Sequence, residues 1–227
     1  MAYDLNQYAD QIRQAILQSP AVVRVFERDK MTSTFTSEEK ANIYHLKETV
    51  KMAKEDNGIG RYSNKDMIIA GGFFASMFGS TIHNNYKDLD VFILNNNKDL
   101  FQNCVQNSPP YQWKIRVNDV SLSPTASTYF KNPHILKTAR NDSNKLQYIL
   151  TDYKTREELV ASFDFVHCTI SYDTMKDVLY ITRRAYDANK NKHLINNSKT
   201  SEPAQTWRVQ KFLDRGWERM ILKNQLT

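Results

Sequence analysis

The chain has 227 residues, 41% of them hydrophobic and 25% charged, with a net charge of +6 and a sequence pI of about 9.1. That balance fits a soluble chain of one moderate domain, or of a core domain with an added helical piece, and no apolar run approaches the ~20 residues that cross a bilayer. The start MAYDLNQYADQIRQ lacks the apolar core of a signal peptide, and Cys104 and Cys168 stand in no metal-ligand spacing, which argues against a disulfide scaffold or zinc centre and for a cytoplasmic setting.

Residues 1 to 66 read as a helical extension in front of a core domain at 67 to 227. Leu5, Tyr8, Ile12, Ala15 and Ile16 recur at helical spacing, and Pro20 ends that helix or starts the next. Ser37 with Glu38-Glu39 reads as a helix cap with acids in the first turn. Ile43, Leu46, Val50 and Ala53 then share a face, until Asn57-Gly58 stops the helix.

Next comes the most informative stretch, Met67 to Leu94. Met67-Ile68-Ile69-Ala70 reads as a buried strand, Gly71-Gly72 as a tight turn, and Phe73 to Phe78 as a short helix stopped by Gly79. The loop Ser80 to Lys87 leads into the strand Asp88-Leu89-Asp90-Val91-Phe92-Ile93-Leu94. Residues two apart on a strand project together, so Asp88 and Asp90 share a face while Leu89, Val91 and Ile93 point into the interior. Two adjacent carboxylates repel unless a cation joins them, and oxygen-only ligands suit Mg2+ or Mn2+. The plainer alternative for the pair is a solvated turn before a buried strand.

Further on, a loop at Asn95-Asn96-Asn97 precedes a helix over Lys98 to Gln106, and Tyr111 to Val117 alternates as a strand. Ser121 to Asn144 reads as a long polar loop with Pro124 and Pro133, followed by a strand over Leu146 to Thr151. Thr155-Arg156-Glu157-Glu158 has the capping-box pattern. Its helix delivers Asp164 to the start of a strand over Phe165 to Ile170, with Asp177 to Thr182 as the antiparallel neighbour. A helical stretch begins at Arg183-Arg184, and Pro203 opens a final helix to about Leu222, with Arg208, Lys211, Arg215 and Arg219 as a positive stripe. Alternating strands and helices give an α+β class with a mixed sheet.

Strand, Gly-Gly, helix and then Asp-x-Asp on a second strand resembles the signature of the DNA polymerase β-like nucleotidyltransferase superfamily. Within it, the stretch is similar to small phage and viral nucleotidyltransferases and to the head domain of tRNA CCA-adding enzymes. Asp164 in Ser162 to Cys168 resembles the third carboxylate, and Glu202 to Gly216 resembles the closing helix of the viral group. Where CCA-adding enzymes carry an Arg-Asp pair shortly after Gly-Gly, this chain has Ala75 and Ser76. The other diglycine-like candidate, Gly79-Ser80, does not follow a strand.

The resemblance implies a nucleotidyltransferase-like sheet flanked by helices. It implies metal-dependent, template-independent transfer of a nucleoside monophosphate from an NTP to an acceptor hydroxyl, an RNA (tRNA-like) 3′ end before the alternatives of a protein hydroxyl or a small molecule. Asp88, Asp90 and Asp164 are then the catalytic carboxylates and the ligands of Mg2+ or Mn2+, and Gly71, Gly72, Ser76, Lys87, Arg208 and Lys211 line the nucleotide. The alternative is a catalytically inactive protein of that fold, acting as a nucleic-acid or host-protein binding module. No membrane partner is expected.

Overall fold

The computed structural model describes residues 35–78, 88–107, 113–117, 132–143, 145–197 and 206–220, and the statements below concern these. The expected helix near Asp4 to Phe26 and the loop residue Lys87 lie outside them.

The fold is α+β. Strands β1 (Met67–Ala70) and β2 (Leu89–Ile93) form the middle of a seven-stranded sheet. Its order is β3 (Lys114–Val117), β4 (Ile135–Asn141), β5 (Leu146–Thr151), β2, β1, β6 (Ser171–Asp173) and β7 (Val178–Tyr180). The β2–β5 pair is parallel and every other pair in this sheet is antiparallel, so the sheet is mixed. Every residue of β1 is buried because both faces of the sheet are covered.

Alternation along the central strands builds two cores. Met67, Ile69, Leu89, Val91, Ile93, Tyr148 and Leu150 join the larger one. Helix α1 (Ser37–Asp56) packs Ile43, Leu46, Val50 and Ala53 into it, α3 (Lys98–Asn107) adds Leu100, Phe101 and Cys104, and α5 (Arg183–Lys190) adds Ala185, Tyr186 and Ala188. Ile68, Ala70, Phe92, Leu94 and Ile149 point the other way, under Leu159 of α4 (Arg156–Ala161). Asp88 and Asp90 share the parity of Phe92, and so belong to this second face.

Thr36, one residue before Ser37, caps α1. Its hydroxyl accepts from Glu39 N at 3.2 Å, and the Glu39 carboxylate accepts from Thr36 N at 2.9 Å. Arg183 on α5 reaches that same carboxylate at 2.8 Å. Helix α1 thus shares the main core and an ion pair with elements beyond residue 66.

Three expectations fail. The polar loop expected over residues 121–144 contains β4, whose two charges are accommodated on opposite faces: Arg140 is ion-paired with Asp88 and Asp142, and Lys137 lies over the Phe101 ring. The segment Phe165 to Ile170 is not a strand. Phe165 makes one isolated bridge to Asn196, and Val166–Thr169 coil into a 3-10 turn packed against α5 and α2 (Gly72–Met77). Residues 178–180 therefore pair with β6. The last helix is short: α6 (Thr206–Leu213) gives way to a turn at Gly216, whose φ is +76°, and then to β9 (Glu218–Arg219), so Arg219 leaves the helical stripe. Strand β9 pairs in parallel with β8 (His193–Leu194).

Candidate functional site

The end of β1, the turn into α2 and the start of β2 meet at one point. Gly71 caps α2 with φ +89° and ψ −147°, a conformation that side-chain-bearing residues rarely adopt. A Cβ placed there would stand 3.3 Å from Oδ2 of Asp90, so the diglycine bend lies directly against the second carboxylate. The Gly71 amide donates to the Cys168 carbonyl at 3.3 Å, which ties the bend to the 3-10 turn. At Gly72 a Cβ would meet nothing within 4 Å, leaving room above the helix start.

Asp90 has neither a hydrogen-bond nor an ion-pair partner for its side chain among the described residues. Burial, and then the neighbouring Asp88, raise its pKa from 3.8 to about 7, against the opposing pull of Lys211, Arg140 and Arg208. Three cations from two directions thus act on one carboxylate that none of them satisfies.

Asp88 is paired instead, with Arg140 of β4 at 3.0 Å. Asp164 is paired with Arg208 of α6 at 2.6 Å. It stands on the loop before the 3-10 turn, where its carbonyl accepts from Asn197 N at 2.8 Å. Asp164, Asp90, Arg208 and Lys211 all exert a field on the Cys168 thiol, which burial pushes up to about 12, so Asp164 and Asp90 act on the same cysteine. Among the described residues, no three His, Cys, Asp or Glu side chains are grouped closely enough to hold a metal ion.

The remaining nucleotide-side candidates divide. Lys211 is lowered, first by partial withdrawal of its ammonium from water and then by Arg215, while Asp88 and Asp90 pull it back. Ser76 spends its hydroxyl on the Phe73 carbonyl at 2.7 Å, inside its own helix. Sequence reasoning missed Arg140 because it lies in the segment read as loop. The signal that was there is the β-forming run Ile135 to Ala139 between Pro133 and Asp142-Ser143.

The donor chemistry fits a hard divalent cation at Asp88 and Asp90: two oxygen ligands side by side, one of them unpartnered. Asp164 could complete such a site only after giving up Arg208.

Comparison with known families adds one finding. A model described as Gabija anti-defense 2 family protein matches residues 30–192, well over half of the chain. The chain belongs to that Gabija anti-defense 2 family. The matched span runs from before α1 through α5 and holds Gly71, Asp88, Asp90, Arg140 and Asp164, while Arg208 and Lys211 lie beyond it. No curated protein and no solved structure matches the chain.

Proposed function

We propose that this protein acts against the Gabija defence, as its family name states, by metal-dependent nucleotidyl transfer from an NTP to an RNA 3′ hydroxyl. The observation that carries the reading is the unpartnered, raised carboxylate of Asp90, held against Gly71 and paired in space with Asp88. Asp88 and Asp90 would hold Mg2+ or Mn2+, which when bound supplies Lewis-acid stabilisation of charge at the reacting phosphate. Lys211 and Arg208 face the same carboxylates from α6, where they suit the triphosphate. The space over Gly72 admits a phosphate close to the backbone.

The test is incubation of the purified chain with each α-labelled NTP, Mg2+ or Mn2+, and total RNA. Asp88→Asn and Asp90→Asn are each expected to lower label transfer at least a hundredfold while leaving the fold intact, as read by circular dichroism. Anti-defence activity in cells carrying Gabija is expected to fall with them.

A second reading has its own observation. Arg140 on Asp88 and Arg208 on Asp164 neutralise two carboxylates without any metal, as a catalytically inactive binding module would. That reading gains if Asp88→Asn and Asp90→Asn keep full anti-defence activity and the parent shows no cation-dependent NTP binding.

A further inference from the structure

On the far side of Asp88 the charges continue outward in an unbroken chain. Arg140 Nη2 meets Asp88 Oδ1 at 3.0 Å, Arg140 Nε donates to Asp142 Oδ1 at 2.7 Å, and Lys114 Nζ donates to Asp142 Oδ2 at 2.6 Å. Strand register explains the line. Asp90 pairs with Gln147, Gln147 with Arg140, and Arg140 with Lys114, so these four side chains stand in one row across β2, β5, β4 and β3 on one face. With strands ~4.8 Å apart, the row spans about 14 Å. Arg116 stands two residues along β3 on the same face.

Strand β3 is exposed along its whole length and is an edge strand among the described residues. Exposed ion pairs contribute little to stability, so stability alone is a weak reason for this arrangement. What it does is fix geometry. Asp142, held well below the usual carboxylate range by Lys114 and Arg140, pins the Arg140 guanidinium from one side. A divalent cation at Asp88 would remove Arg140's partner on the other side. Among the described residues, Asp142 is then the carboxylate left between Lys114 and Arg140, so this pair of cations carries net positive charge leading away from Asp88 and Asp90.

We propose that this row is the acceptor track: single-stranded RNA lies across β5, β4 and β3, with backbone phosphates on Arg140, Lys114 and Arg116 and its 3′ end at Asp88 and Asp90. A polyanion extended along a line is the ligand that cations spaced along a line fit, and none of these contacts selects a base. The position of the 3′ end rests on the nucleotidyl-transfer reading; binding along the row does not.

The test measures two affinities separately on the full chain. Fluorescence anisotropy reads a labelled twelve-nucleotide single-stranded RNA across a salt series, and a fluorescent NTP with Mn2+ reads the nucleotide site. Lys114→Glu with Arg116→Glu is expected to weaken RNA binding more than tenfold and to flatten the logarithmic salt dependence by about one to two. NTP binding should stay as in the parent. Lys114→Ala, a milder change at an exposed position, should give a smaller loss in the same direction. RNA bound equally by parent and double variant would overturn the track. So would a parent that takes NTP but no RNA, or one whose label lands on a protein with equal yield in both. Failure of NTP binding in the parent would count against transfer itself and leave the RNA result to be judged alone.

Discussion

Asp90 and the two glycines at which α2 begins are where single atoms decide the outcome. Asp90 is raised from 3.8 to about 7, so the fold favours its protonated form. The stability it contributes is full below about pH 4 and is lost as pH climbs through 7. Asp90→Asn keeps the neutral shape at every pH. It is expected to match the parent near pH 4 and to exceed it at pH 8 by up to about 4 kcal/mol, measured by denaturant titration at both values. Millimolar Mn2+ should raise the parent's melting temperature at pH 8 and leave the variant's unchanged; a parent indifferent to Mn2+ would argue against a cation at this pair. At Gly71, alanine meets both a φ of +89° and Asp90 Oδ2, so Gly71→Ala should cost about 1–3 kcal/mol. Gly72→Ala enters open space and should change stability by no more than about 0.5 kcal/mol. A loss of NTP affinity in Gly72→Ala without a loss of stability would mark phosphate approach over that backbone.

Among elements, α6 depends on its docking more than on its own length. Phe165, Leu194, Phe212 and Trp217 form a small satellite core, and the His167 ring packs within it, 4.2 Å from the Trp217 centroid and 4.4 Å from that of Phe212. Both His167 ring nitrogens are buried and have no hydrogen-bond partner among the described residues, and burial lowers the imidazole from 6.5 to about 3. A histidine lowered in the fold stays neutral there while the unfolded chain takes up a proton. Stability is therefore intact above 6.5 and falls as pH drops from 6.5 toward 3, by about 1.4 kcal/mol per unit. His167→Phe should abolish that slope. The slope is the readout, since absolute stability also carries the change in packing volume. An unchanged slope between pH 6.5 and 4.5 would place the acid sensitivity in other groups.

At the scale of the whole molecule, what the sequence disclosed and what it hid have different physical origins. Runs buried on both faces were legible because their apolar side chains have no other place to go: Met67 to Ala70, Leu89 to Ile93 and Leu146 to Thr151 read directly as β1, β2 and β5. The face shared by Asp88 and Asp90 followed from period-two alternation. Strand β4 was hidden because Lys137 and Arg140, on its two opposite faces, look like loop residues until the partner strand and the Phe101 ring that takes the Lys137 side chain are known. The pairing of Asp164 with Arg208 spans 44 residues and depends on how α6 folds back, which no local pattern encodes. Phe165 to Thr169 has strand-like composition, yet coils because Val166 N and Asn197 N bind carbonyls at Ile195 and Asp164, where sheet neighbours would otherwise stand. The joining of β8 and β9 by only two residue pairs also has a kinetic consequence. With so short a ladder, and a small satellite core shared with Phe165 and Leu194 as its other anchor, the arm over residues 206–220 is expected to detach as a unit while the seven-stranded sheet remains closed. In deuterated water its amides should exchange on the timescale of that detachment. Those of residues 89–93 would wait for the entire sheet to part, and binding of an anion by Arg208 and Lys211 would slow the first clock without touching the second.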